Sequence, residues 1–522
     1  MFETHENNEQ GGTRLCNVIS LMIPAYRYDI GCAWTQEIPL PAIEEFTCRL
    51  LIAMGELAPS ELQGYFDINA REIEVLIDTL TKNKLVKYND QNNLVPSTIL
   101  LDRTKGNPDA TPSLTKYETK NESVVFEALT VTVMPSKNLQ KGRYGLPEIP
   151  IPSENHSPAP GRVAEAFGRQ FRAFLDYSNR PEFEKRKTRL YKVESCGTGR
   201  FVQIPIDIDI WVKPNQDGAV DVIKAIQEGD GSTRHRPLSM EIQAKLSDYL
   251  NDLGKRMPVP GMSLERYCRV FDDPVLERYV DDRGLDLGLW LIDHANRKTG
   301  FGSTDTRAIV GPVFAKNNQK TLDRMLETVS KQWKPNDTHR AFWLASNVPL
   351  WAANTGLRDF GFKLSKLLSE NGEDRGWVTA IMGLDDFKDC QRLKSLYHTR
   401  IANGIVYRGS DMASRVEILL IPGQLAVVQY HVQPDSSSAV TVPVGYVTID
   451  PDRMEKIEAY LDELVRHRGK AELAWSDGAR NADELLGPCK ALYSTANRKP
   501  RLSLGKTPSA SDADGERSQP SV

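Results

Sequence analysis

The chain reads as a multidomain α/β protein: a helical N-terminal unit closed by a two-stranded hairpin, a mixed α+β middle region, and a C-terminal α/β sheet domain. Its 522 residues suffice for two to four domains, and 40% apolar content is that of an ordinary globular protein. Between Pro41 and Thr98, three short segments of helical periodicity run into two strand-like ones. Between Arg340 and Asp450, strand and helix signals alternate, the pattern of a parallel sheet.

In the first stretch, Pro41 suits a first helical position, and Ile43, Phe46, Leu50 and Leu51 recur at helical spacing until Gly55. A second helix follows Pro59, with Ser60 as its expected cap and Leu62, Tyr65 and Phe66 as its buried side. Asn69, with Glu72 three residues on, forms a capping box for a third helix, which buries Ile73, Leu76, Ile77 and Leu80. Leu85–Tyr88 and Leu94–Val95 flank a polar turn and read as a hairpin.

This order of elements, over roughly 60 residues, resembles the winged helix-turn-helix family. The resemblance implies DNA binding, with the third helix in the major groove and the wing on a phosphate strand. Between Ala42 and Thr98 there are five basic residues against nine acidic ones, and the exposed side of the third helix carries Glu72, Glu74 and Asp78. Phosphate neutralisation supplies most non-specific DNA affinity, so weak DNA contact is expected, carried by Lys82, Lys84 and Lys87 on the wing side.

The flanking chain follows from composition. Residues 1–15 are expected to be disordered, and the apolar, aromatic stretch Asn17–Pro41 to form a strand pair against the winged unit, giving a first domain over 16–102. Residues 103–160 read as a polar linker, a strand over Ser123–Met134 and a proline-rich spacer. Region 161–335 opens with the strongest basic patch: Arg162–Arg200 holds ten basic residues against five acidic ones. Lys185, Arg186, Lys187, Arg189 and Lys192, with Tyr191 among them, have the makeup of a phosphate-tracking surface. Asp207 and Asp209 alternate on one face of a strand taken as a solvent-facing edge, and paired carboxylates of this kind are an outside candidate for a metal site.

Region 336–470 offers strands at Ala341–Ala345 and Trp377–Met382, helices at Leu357–Glu370 and Phe387–Tyr397, a strand at Gly404–Arg408 and a hairpin of Val416–Ile421 with Leu425–Tyr430 about Pro422-Gly423-Gln424. A helix over Asp452–Arg466 is expected to cover the sheet, and 471–522 to be a largely disordered tail. The order resembles one half of a phospholipase D-like domain, which implies a histidine nucleophile and a lysine that stabilises phosphate charge. Ser414-Arg415-Val416-Glu417 stands where the His-x-Lys motif belongs, so His398 and His431 are the only substitutes, each requiring a displaced motif.

Walker, Rossmann, nucleophile-elbow and zinc-site patterns are missing, so no cofactor is expected. The seven scattered cysteines and the polar start lead us to expect a cytoplasmic protein without a membrane segment. The expected function is a non-enzymatic nucleic-acid-binding or adaptor subunit beside a separate helicase or nuclease, similar in architecture to bacterial antiviral systems acting on foreign DNA. The alternatives are a phospholipase D-type nuclease and a ligand-sensing transcriptional regulator.

Overall fold

In the computed structural model the described residues are 2–3, 13–136, 145–215, 219–226, 238–256, 261–331, 333, 339–368, 378–409, 414–435, 438–467, 471–478 and 480–486. Mixed α/β architecture with several sheets is observed, organised around one strand. After β1 (Phe2–Glu3), β2 runs from Arg14 to Pro39 without a break. The expected strand pair at Asn17–Pro41 is therefore a single strand, and its partners lie far away in sequence.

The chain then leaves the sheet for α1 (Ala42–Met54), α2 (Pro59–Phe66), α3 (Ala70–Lys82), the hairpin β3 (Val86–Tyr88) and β4 (Leu94–Pro96), and α4 (Thr98–Thr104). The Asn69 side chain accepts from the Arg71 and Glu72 amides at 3.0 Å each, and Glu72 Oε2 accepts from the Asn69 amide, so α3 starts on its capping box. Ser60 does not cap α2, which begins one residue earlier at Pro59 and ties the Ala58 amide to Glu61 Oε2 at 2.7 Å. Leu51, Leu62, Leu76, Leu80 and Leu94 close a small core of their own.

β5 (Ser113–Glu127) pairs with β2 over its whole length, from Pro39–Ser113 to Ala25–Glu127, so the expected linker at 103–119 is half strand. β6 (Val133–Met134) and α5 (Pro160–Tyr177) follow. The proline-rich segment is no free spacer: the Met22 amide donates to Pro147 O at 2.8 Å, and the Ile149 amide to Met22 O at 3.1 Å. α6 (Glu182–Lys187), β7 (Thr188–Cys196), β8 (Arg200–Pro214) and β9 (Val220–Ile226) complete a seven-stranded sheet ordered β1-β9-β8-β2-β5-β6. β7 and β8 share one edge of β2, β8 along residues 14–27 and β7 along 30–36.

Next come α7 (Met240–Gly254), α8 (Leu264–Val270), α9 (Pro274–Glu277), the ladder β10 (Val280–Asp281) with β11 (Gly284–Leu285), and α10 (Leu287–Ala295). The C-terminal sheet contains β12 (Thr306–Val310), β13 (Ala341–Leu344), β14 (Val378–Leu384), β15 (Asn403–Arg408), β16 (Val416–Ile421), β17 (Leu425–Val432), β18 (Val442–Thr448) and β19 (Glu472–Trp475). Its order is β12-β18-β17-β16-β13-β14-β15-β19. β13, β14 and β15 run parallel, as two consecutive β-α units require. β16 and β17 form the hairpin about Gly423, whose φ of 68° suits a tight turn.

α11 (Lys316–Ser330), α12 (Leu357–Leu368) and α13 (Cys390–Tyr397) carry residues of the core on one face of this sheet. α8, α9, α10, α14 (Pro451–His467) and α15 (Ala482–Leu486) supply the core on the other. The N-terminal half of β2 docks here: the Ser20 amide donates to Ala353 O at 2.7 Å and Asn17 Nδ2 to Thr441 O at 2.7 Å. The expectations for residues 4–12 and 487–522 lie outside the described residues.

Candidate nucleic-acid interface

Beyond the end of β8, strands β7, β2 and β5 continue as a three-stranded arm towards the α1–α4 unit. One face of the arm is buried. Tyr28, Ile30, Cys32 and Trp34 of β2 pack against Val163, Phe167, Phe171 and Phe174 of α5, with Leu190 and Val193 of β7 at the margin. Side chains alternate along a strand, so Gly31, Ala33 and Thr35 fall on the opposite face.

Cross-strand register puts Tyr117 and Arg189 on either side of Thr35, and Lys192 beside Ala33. A register shift between Ala33 and Trp34 makes Tyr191 an extra residue, so it turns outward with Lys192 while Leu190 and Val193 keep their place against α5. The two tyrosine rings meet above β2 with centroids 5.6 Å apart and planes at 84°. Tyr117 is 65% exposed and Tyr191 63%. Arg189 is exposed, and Lys192 is held by Glu194 at 3.0 Å. Further along the same face Arg200 lies 4.0 Å from Asp29.

The buried face ends in a charged rim. Arg180 and Lys120 lie over the Trp34 ring at 4.4 and 5.4 Å. Lys116 and Lys120, at 2.8 and 3.1 Å from Glu118, hold its carboxyl well down, at about 2. That carboxylate is charged throughout the physiological range and cancels part of the local positive potential.

The sequence-predicted cations divide. Arg186, Lys187, Arg189 and Lys192 are exposed. Lys185 is not: it is buried, with Nζ on Asp176 O at 3.2 Å and Glu182 Oε1 at 3.1 Å, so it secures α6 and cannot reach a phosphate. Lys82, Lys84 and Lys87 are exposed, but Lys82 is paired with Asp78 on α3. Lys84 stands at a φ of 57° where α3 turns into the hairpin.

Asp207 and Asp209 are corrected in the same way. β8 is an interior strand between β9 and β2, not a solvent-facing edge. Asp207 accepts from Ser20 Oγ and, at 3.3 Å, from Thr355 Oγ1, whereas Asp209 is buried. Asp207 thus ties β8 to the segment that follows β13, and among the described residues no cluster of three metal-ligating side chains exists.

His431 and His398 are far apart in character. His431 is buried between Glu417 Oε2 at 2.7 Å and Thr441 Oγ1 at 2.8 Å, and Trp343 Nε1 donates to the other Glu417 oxygen at 2.7 Å. The adjoining cavity of about 10 Å³ has room for about one water, far too little for a phosphodiester. His398 caps α13, its Nδ1 2.6 Å from Lys394 O, and lines a cavity of about 40 Å³ that contains Arg358 and Arg400. Arg400 is already engaged by the carbonyls of Ala352, Gly145 and Leu396. Burial pushes the thiols of Cys16 and Cys48 up to about 12 and that of Cys32 to about 11, so none is a nucleophile at neutral pH. Among the described residues no helix is long and apolar enough to cross a membrane.

Sequence reasoning missed Tyr117, because its polar surroundings read as linker; the alternation of Leu114, Lys116, Glu118 and Lys120 was the available signal. No protein-family model matches the chain, and no curated protein does. Among solved structures it is similar to one described as "Structure of TrmBL2, an archaeal chromatin protein, shows a novel mode of DNA binding", at 10% identity over 83% of this chain and 94% of that one. The TM-score is 0.20, too low to carry an argument.

Proposed function

We propose that this protein is a nucleic-acid-binding subunit whose principal contact is the open face of the β7–β2–β5 arm, with the α1–α4 unit as a second, weaker contact of winged-helix type. Catalysis is supplied by a separate protein such as a helicase or nuclease. The observation that carries the reading is the exposed Tyr117–Tyr191 pair with Arg189 and Lys192 beside it, preceded in the chain by Arg186 and Lys187, exposed at the end of α6. Aromatic rings among cations on a flat sheet suit bases and phosphates together. The acidic outer side of α3, with Glu74 and Asp78 exposed, makes that helix the poorer phosphate contact.

The test is fluorescence anisotropy with labelled DNA across a salt series, comparing wild type with Arg186, Lys187, Arg189 and Lys192 changed to Ala together. Lys185 is left intact because its loss would disturb α6. Binding that weakens with salt, and a log–log slope shallower by roughly three to four in the variant, is expected from about 0.7 per phosphate contact on a single strand and about 0.9 on a duplex. Absence of binding at low salt would sink the proposal and turn the search to protein partners.

A further inference from the structure

Electrostatics alone is thin on the arm. Lys192 is compensated by Glu194 and Arg200 faces Asp29, which leaves Arg189 as the exposed cation beside the tyrosines without an ion pair among the described residues, Arg27 being half-buried at the far end of the face opposite Arg200. A rigid duplex presents phosphates and hides its base faces, so such a surface offers it little. The same surface offers an unstacked base a great deal. Gly31, Ala33 and Thr35 keep the central strand low, and Gly31 has no room for more, since a Cβ there would lie 2.4 Å from Ser195 Oγ. Tyr117 and Tyr191 rise from the flanking strands, and an edge-to-face pair leaves its outer ring faces open to planar ligands. Stacking contributes about 1–3 kcal/mol per base, whereas a single screened ion contact contributes about 1 kcal/mol or less. On this face the rings outweigh the charges.

We infer that the ligand of the β7–β2–β5 face is single-stranded nucleic acid, its bases stacked on Tyr117 and Tyr191 and its backbone lying along Arg189 and Lys192. The inference rests on the nucleic-acid-binding reading above and specifies the state of the strand. A chain held in this way is read by ring faces and not by base edges, so composition matters little and strand flexibility matters most.

The experiment uses the full chain and three labelled probes of about 20 nucleotides, enough to span one such site: oligothymidylate, oligouridylate and a mixed-sequence DNA duplex. Wild type is compared with Tyr117→Leu/Tyr191→Leu, which keeps Ala33 covered but removes the π faces, and with Tyr117→Phe/Tyr191→Phe, which keeps them. Thermal unfolding checks that all three proteins are folded. The expected result is at least tenfold tighter binding of a single strand than of duplex, a tenfold or greater loss in the Leu pair, and retention within about threefold in the Phe pair. The preferred single strand assigns DNA or RNA, and either preference supports the inference. Duplex bound as tightly as single strands, with the Leu pair unchanged, overturns it while leaving the nucleic-acid reading on its phosphate contacts. No binding of any probe at low salt overturns both.

Discussion

At the residue scale, buried polar groups make the sharpest predictions. Glu417 and His431 form an enclosed pair whose remaining valences are met by Trp343 and Thr441. Truncating Glu417 to Ala leaves the Trp343 indole N–H and His431 Nε2 unpartnered, and about 2–5 kcal/mol of stability is expected to go, read as a shifted urea midpoint. Equal stability of Glu417→Ala and wild type would show that water satisfies the site. His294 gives the pH dependence. It stacks on Trp290 with centroids 4.8 Å apart, its Nδ1 lies 2.9 Å from Thr299 Oγ1, and burial followed by the Arg14 charge lowers its pKa from 6.5 to about 4. The unfolded chain binds the proton more readily, so stability is complete above pH 6.5 and is lost as pH falls towards 4. The imidazole is partly exposed, so the loss is on the order of 1–3 kcal/mol. Urea midpoints across that range should be flatter in His294→Gln; an unchanged slope would assign the acid sensitivity elsewhere.

At the element scale, α3 depends on its first turn. Asn69→Ala removes the acceptor of two amides and should cost about 1 kcal/mol, seen as faster hydrogen exchange at Arg71 and Glu72. Unchanged protection there would mean that the core around Leu76 and Leu80 holds the helix without its cap. The capping box was legible in the sequence because Asn69, Glu72 and the apolar residues behind them lie within one local window. So were the β16–β17 hairpin and the parallel β13–β15 segment, whose turn residues and periodicities are also local. β2 was not. Pro24 and Gly31 would ordinarily interrupt a strand, yet β5 and β7 or β8 pair with it, at separations from 74 positions (Pro39 with Ser113) to 198 (Arg14 with Val212). Pairing at that distance leaves no periodic trace. The interface was half legible for the same reason: Arg186, Lys187, Arg189 and Lys192 form a local run, while Tyr117 joins Tyr191 only through the register of β2. Lys185 and Asp207 fit their local patterns and were claimed by packing, which a pattern of charges does not reveal.

At the scale of the whole molecule, β2 joins three bodies: its first half lies against the C-terminal sheet, its second half forms the arm, and its end leads into the α1–α4 unit. The unit is an excursion between paired strand ends, since Pro39 and Ser113 face each other across the ladder. That geometry allows the unit to be excised without opening the sheet. Residues 42–111 can be replaced by a short Gly/Ser turn, with Leu40 and Leu114, which pack onto the unit's core, changed to Thr. The β2–β5 hairpin then closes on itself, and α5 still covers its buried face through Trp34, Phe167 and Phe171. If the arm is the main contact, the shortened protein should unfold near the wild-type temperature and keep single-strand affinity within about threefold, with a salt slope changed by no more than about one. What should fall is any duplex affinity contributed by Lys84 and Lys87. A folded variant that has lost single-strand binding would move the principal contact onto the α1–α4 unit, and the arm would then serve to hold that unit at a fixed distance from the C-terminal sheet.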